Sequence, residues 1–327
     1  MLMQKKLDSI RVLGIIGLAK NTGKTTTLNA IIDLYPNLVL GLTSIGLDGE
    51  ALDQVNFLPK PKIYVKPGMI VATTEECLET AEVEYRIIEK TKLQTALGNV
   101  LIVEIITQGH LIVAGPTSNK DLQVILEKVK KITDKVLIDG AFNRMTFANI
   151  KTIDGIVLAS GASYHPVMEK TITKTKQIIK CFQFAKTTLF KDEPKAAFVV
   201  KTRAQTVEIK EKKFEIFKQL VDTFKTEIEA FYIKGALTNR MVDLLMQAKI
   251  ENITLVCDDP TKPLLSDSQF LYLEKLNIKV EVIHPTELLF VTINPFSPSG
   301  QHYDQDLMLT KMKDAVAVPV YNVKLRS

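Results

Sequence analysis

The chain has 327 residues, more than one typical domain, and 46% of them are hydrophobic against 24% charged, a balance ordinary for a soluble globular protein with a large core. Its 42 basic and 37 acidic residues leave a net charge of +5, too thin and too dispersed to argue for a nucleic-acid partner. No apolar run approaches about 18 residues, so no membrane span is expected. The opening segment, Met1 to Ser9, lacks the apolar stretch and cleavage site of a signal peptide. Cys77, Cys181 and Cys257 stand far apart with no CxxC spacing, which argues against a disulfide frame or a zinc knuckle. They read as buried thiols in a reducing, cytoplasmic setting.

In chain order, Ser9 to Leu18 is a short apolar run rich in β-branched residues, the pattern of a buried parallel strand. Thr25 to Leu34 changes to helical spacing and stops at Tyr35-Pro36-Asn37. Leu38 to Leu42 predicts a second strand, followed by "TSIGLDGE" and a proline-containing stretch over 52–76 that reads as a long functional loop with short strands. Leu78 to Leu97 is expected to be helical, and "VLIVEII" with "HLIVAG" to form a hairpin around Thr107-Gln108-Gly109. Asp121 to Ile132 predicts an amphipathic helix leading into the strand "KVLID". "DGIVLASG" and a long helix from about Pro166 to Cys181 follow. The alternation of strands and helices points to an α/β fold with a doubly wound, mostly parallel sheet. A break near "KDEPKA" divides the chain at 1–190 and 191–327, with the second part a smaller α/β region that completes the sheet or packs on it. Lys210 to Ile228 reads as a charged amphipathic helix in that part.

Chemistry concentrates where the first strand meets the first helix, in "LGIIGLAKNTGKTTTLN". A phosphate loop works because successive backbone N–H groups converge on anionic oxygens at a helix N-terminus. Gly23, Lys24 and Thr25 fit the turn glycine, the phosphate-binding cation and the Mg²⁺-binding hydroxyl. Lys20, Asn21, Thr22 and Thr26 complete the expected nucleotide-binding set. The strict motif places its first glycine five positions before the second, whereas Gly17 stands six before Gly23. A loop one residue longer is the form used by dethiobiotin synthetases, which share a class with MinD-type and nitrogenase-iron-protein ATPases. Lys20 is one position too close to Gly23 to match the signature lysine of the MinD-type loop.

Mg²⁺ keeps several waters and needs only one or two carboxylates beside Thr25. Asp139 closes the strand "KVLID", and Asp48 in "TSIGLDGE" holds the switch position of the wider ATPase class, with Glu50 able to share its task. Catalysis is therefore assigned to Lys24, Asp48 and Asp139, and metal binding to Thr25, Asp48 and Asp139. Glu104 reads as an exposed strand position. Asn294, closing a late strand in "VTINPFSP", is expected to read the adenine edge as asparagines of this class do, or else to form a plain Asn-Pro turn. No Asn-Lys-x-Asp guanine motif is intact, which favours ATP over GTP.

Over nearly the whole chain, Val12 to Val323, the ordered motifs "LTSIGLDGE", "PKPKIYVKPG", "LIDGAFNR", "DGIVLASGAS", "GALTNRMVDLL" and "VTINPFSPSG" resemble the accessory reactivase subunit encoded beside adenosylcobalamin-dependent lysine aminomutase. The resemblance implies an amino-acid fermentation setting, the aminomutase and a MutS-like ATPase as partners, and release of damaged cobalamin from the inactivated mutase. It carries over to Gly17, Gly23, Lys24 and Thr25; the acids come from the wider class. Against this nucleotide-driven switch stand three other readings. One is an ATP-dependent carboxylate-activating ligase of the dethiobiotin or cobyrinate amide type, with Lys60–Lys66 and Lys170–Lys176 supplying cations. The others are a GTPase metallochaperone, disfavoured by the lack of Cys and His clusters, and a degenerate loop that binds a partner without hydrolysis. Whether the chain pairs as a homodimer stays open.

Overall fold

The structure, a computed structural model, describes residues 2–45, 62–140 and 153–323. It divides into two compact units, Met1–Lys176 with Glu287–Ser327, and Gln177–Thr286. The division therefore differs from the expected cut at 190/191. It falls within a helix, and the last part of the chain returns to the first unit. That return rests on a parallel pairing between segments more than a hundred residues apart, which no local composition shift marks.

The first unit opens with helix α1 (Leu2–Asp8), strand β1 (Val12–Gly17), helix α2 (Lys24–Leu34) and strand β2 (Leu40–Ser44). Strands β3 (Ile63–Val65) and β4 (Ile70–Thr74), the short helix α3 (Glu75–Glu79) and strands β5 (Tyr85–Thr95), β6 (Gly98–Ile105) and β7 (Gly109–Leu111) follow. Then come α4 (Asn119–Val129), β8 (Lys135–Asp139), β9 (Gly155–Gly161) and α5 (Met168–Phe182), in which the division between units lies. The second unit contributes β10 (Phe198–Thr202), β11 (Thr206–Ile209), α6 (Phe214–Phe224), β12 (Ile228–Ile233), β13 (Leu237–Thr238), α7 (Asn239–Gln247), β14 (Thr254–Cys257), β15 (Pro263–Leu264), α8 (Asp267–Lys275) and β16 (Lys279–Val282). The chain ends in β17 (Glu287–Asn294), α9 (Gln305–Ala315) and β18 (Val320–Tyr321).

Nine strands form one sheet in the order β18-β17-β9-β1-β8-β2-β4-β6-β5, parallel from β18 to β4 and antiparallel at the β4-β6-β5 end. The fold is thus α/β with a large, mostly parallel sheet. β1 lies inside it with every residue buried, which explains why "VLGIIG" reads as an unbroken apolar run. Its neighbours supply a core in which Leu13, Ile15, Leu28, Ile31, Val71 and Phe290 pack together. In the second unit β11-β10-β12-β14-β16 form a five-stranded sheet around a separate core. There the Phe217 and Phe231 rings stand 4.7 Å apart.

Two expected elements are corrected. Residues 78–97 are not one helix: a five-residue helix, α3, precedes the long edge strand β5. Arg86, Ile87, Ile88 and Glu89 on β5 lie at the surface or half exposed, so the strand shows none of the apolar alternation that would betray it. It is held by partners elsewhere in the chain, including the Arg86–Glu104 ion pair to β6. Glu104 is accordingly a half-buried ion-pair partner rather than a free surface position. The expected hairpin of 100–106 with 110–115 is likewise replaced. β6 turns back on β5 through Gly98, whose φ of 87° is left-handed, and β7 pairs with β3 instead. The charged helix foreseen from Lys210 is shorter, Phe214–Phe224.

Cys77, Cys181 and Cys257 are buried and free, and burial pushes the Cys257 thiol up from its ordinary range. Among the described residues no helix is long and apolar enough to cross a membrane. Helix α4 begins at Ser118, whose hydroxyl accepts from the Asp121 N–H at 3.1 Å. Ser118→Ala is expected to cost about 1 kcal/mol, the usual loss at an N-cap, read as a shift of the urea midpoint at unchanged slope.

Candidate functional site

β1 ends at Gly17 between β8 and β9, and the chain then crosses the C-terminal edge of the sheet before α2 begins. Leu18 N–H still donates to the Ala159 carbonyl, 3.0 Å, so the loop departs from a fixed point on β9. Asn21 (φ 60°) and Gly23 (φ 101°) both adopt left-handed backbone, which reverses the chain twice within three residues. The first helical hydrogen bond of α2 runs from Thr27 N–H to the Gly23 carbonyl, 2.9 Å, and the Thr27 hydroxyl donates to the same oxygen at 2.9 Å. The N–H groups of Lys24, Thr25 and Thr26 lie ahead of that bond at the positive end of an eleven-residue helix.

The loop's carbonyls are drawn away from these donors. The Asn21 carbonyl accepts from the Ser163 hydroxyl at 3.1 Å and from Asn294 Nδ2 at 3.4 Å. The Ala19 carbonyl accepts from the Thr22 hydroxyl at 3.0 Å and from Lys24 Nζ at 3.4 Å. Two close approaches explain the glycines. A Cβ on Gly17 would stand 2.6 Å from Thr22 Oγ1 and 2.8 Å from Lys24 Cγ, so the bare glycine is what lets the lysine stem lie back across the strand end. At Gly23 the left-handed φ is joined by Asn294 Cβ, 2.8 Å from where a side chain would begin.

Asp139 closes β8 next to this loop, in register with Ile15 of β1. Gly140 N–H donates to the Ile15 carbonyl at 2.9 Å. Asp139 Oδ1 is buried and has no hydrogen-bond partner among the described residues. Burial pushes its carboxyl up from the ordinary range, and the Lys24 ammonium opposes that push. Lys24 is held below the ordinary lysine range, first by burial, then with Asp139 raising it and Lys20 lowering it further. Two ionisable groups of opposite sign thus share a partly dry site that disfavours the charged form of each.

A buried carboxyl oxygen with no partner among the described residues suits a hard cation, and with the Thr25 hydroxyl in the first turn of α2 the residues present fit Mg²⁺. Asp139 would supply a carboxylate oxygen and Thr25 a hydroxyl, with the remaining positions left for water and phosphate. Among the described residues no three His, Cys, Asp or Glu side chains gather as a cage. Asp48 and Glu50 lie outside the described residues.

The structure therefore brings Gly17, Asn21, Thr22, Gly23, Lys24, Thr25, Thr26, Asp139 and Asn294 into one neighbourhood, while Lys20 is exposed on the loop. Asn294 agrees with the Asn-Pro turn reading. Nδ2 donates to the Asn21 carbonyl and Oδ1 accepts from the Phe296 N–H at 3.3 Å, so both ends of its amide brace the loop. Sequence reasoning missed Ser163 and Ser297. Ser163 touches the loop, and the Ser297 hydroxyl lies 3.1 Å from it. Their signal was slight: small polar residues just after the ends of two buried strands, in "SGAS" and "NPFS". Comparison of the chain with protein-family models and with curated proteins finds no match.

Proposed function

We propose that the chain is a P-loop ATPase of the doubly wound class that acts as a nucleotide-dependent switch, serving the reactivation of an adenosylcobalamin-dependent lysine aminomutase by exchange of its damaged cofactor. The observation that carries the nucleotide reading is the placement of Lys24 at the head of α2, its stem across Gly17 and its ammonium on the Ala19 carbonyl, in a loop with two left-handed residues beside the end of β8 where Asp139 stands. A strained loop and two poorly solvated ionisable groups cost stability in the ligand-free protein. Such a cost persists where a ligand removes it.

In this reading the free N–H groups of Lys24 to Thr26 receive phosphate oxygens, and the lysine ammonium leaves the Ala19 carbonyl for the phosphates. Thr25 and Asp139 hold Mg²⁺, which when bound neutralises charge on the phosphates. Ser163 and Asn294 keep the Asn21 carbonyl turned out of the cup. The choice of ATP rests on the missing guanine motif. The client and the MutS-like partner rest on the resemblance of the ordered motifs.

Hydrolysis measured alone, then with inactivated aminomutase and its MutS-like partner, tests the switch. Turnover should be slow alone and stimulated by the proteins. Fast turnover that depends on a small carboxylic acid and yields a covalent product would overturn the reading in favour of a ligase.

A further inference from the structure

Asn294 uses one amide hydrogen on the Asn21 carbonyl and one oxygen lone pair on the Phe296 N–H, and the residues just beyond it offer a surface that could hold a nucleobase by its face. The chain beyond it forms a tight hairpin over 295–303. Tyr303 N–H donates to the Pro295 carbonyl at 2.9 Å and Ser297 N–H to the Gln301 carbonyl at 3.0 Å, with Phe296 facing His302 across the pair. Their rings stand 5.3 Å apart at 66°, an edge-to-face pair. Both are on the outside: the Phe296 ring is 39% exposed and His302 is exposed as well.

The hairpin carrying this aromatic pair is anchored from below by polar side chains. The Tyr303 hydroxyl donates to the His165 carbonyl and lies 2.8 Å from the Thr171 hydroxyl, while Gln301 Nε2 donates to the same carbonyl at 3.4 Å. Ser297, itself buried, joins Ser163, which also holds the Asn21 carbonyl. Aromatic pair and phosphate loop are therefore braced by the same serine and the same asparagine.

Direction follows from strand order. Asp139 stands on β8, on one side of β1, whereas β9 and β17 lie on the other. A nucleotide whose terminal phosphates face Asp139 runs its sugar and base toward the ends of β9 and β17. Phe296 lies two residues beyond Asn294, within about 7 Å along the chain, and Asn294 Cβ packs against Gly23. We infer that the Phe296–His302 pair is the surface on which the base of the nucleotide stacks, selecting purine over pyrimidine by the size of the π-face. This rests on the phosphate-loop reading above and adds to it the class of base. Stacking uses no base-edge hydrogen bonds and so does not separate adenine from guanine.

The test compares Mg²⁺ complexes of ATP, CTP and inorganic tripolyphosphate on wild type, Phe296→Ala and Phe296→Tyr by calorimetry. Phe296→Ala should weaken ATP about ten-fold, weaken CTP less, and leave tripolyphosphate unchanged. Phe296→Tyr should bind ATP as wild type does. Equal losses for ATP and tripolyphosphate, or undiminished ATP binding, would overturn the inference while leaving the phosphate loop standing. Wild type that binds neither ATP nor tripolyphosphate would remove the loop and this inference together.

Discussion

Lys24→Ala lowers Mg²⁺–ATP affinity by about ten- to hundred-fold, the loss expected for one charge-assisted bond to phosphate. The stem of Lys24 crosses Gly17, where a Cβ would stand 2.8 Å from Lys24 Cγ, and its ammonium rests on the Ala19 carbonyl. It therefore waits at the mouth of the loop with a weak neutral partner, and exchange of that carbonyl for a phosphate oxygen is favourable. Lys24→Arg should not restore binding, because a planar fork cannot follow the narrow path over Gly17 that a single-file alkyl chain takes. Titration calorimetry of both variants decides the point. Wild-type affinity in Lys24→Ala would end the assignment of the loop.

Asp139→Asn is expected to do two opposite things. Burial holds the Asp139 carboxyl above its ordinary range, so the folded protein favours the protonated form. A group raised in this way contributes its full stability below the ordinary carboxylate range and loses it as pH rises through the raised value. As pH rises from the ordinary carboxylate range toward neutrality the unfolded chain ionises freely while burial opposes ionisation in the fold, so the ligand-free protein loses stability. Asparagine, a neutral near-isostere, removes the penalty: the thermal midpoint of the ligand-free variant should exceed that of wild type at pH 7.5. The difference should close toward pH 4. The same change deletes the anionic oxygen offered to Mg²⁺, so the Mg²⁺ dependence of ATP affinity should weaken about ten-fold or more. A variant that is less stable at neutral pH, with Mg²⁺ dependence intact, would show Asp139 to be a structural carboxylate.

What could be read from the chain was what local pattern controls. β1, α2 and β8 are each set by their own apolar spacing, and Gly17, Lys24 and Asp139 lie on them with Gly23 capping α2, so the positions of these residues in the fold could be read without coordinates. β5 could not, because a solvent-facing edge strand rich in Lys, Glu and Gln has no periodicity of its own and is held by β6. The unit boundary failed for a related reason: "LLFVTIN" looks like any buried strand, and nothing in it says that its neighbour is β9. Asn294 could be located, and the turn bond from the Phe296 N–H to its Oδ1 agrees with the Asn-Pro turn reading, but its partner Asn21 could not be foreseen. Its place at a strand end is a sequence property, whereas its engagement with Asn21 depends on two loops meeting in space. Ser163 is the same kind of residue, ordinary in sequence and defined by the carbonyl it reaches.

The interruption of the first unit by Gln177–Thr286 sets an order of events during synthesis. A ribosome adding about 5–20 residues per second needs on the order of ten seconds for those roughly 110 residues. Throughout that interval the nascent sheet ends at β9, with the pairing edge that β17 will occupy still open. Asn21 already has Ser163 but not yet Asn294. The phosphate-loop brace from Asn294 is thus delayed until the closing strand emerges, and a chain halted before Glu287 would present an open strand edge on β9.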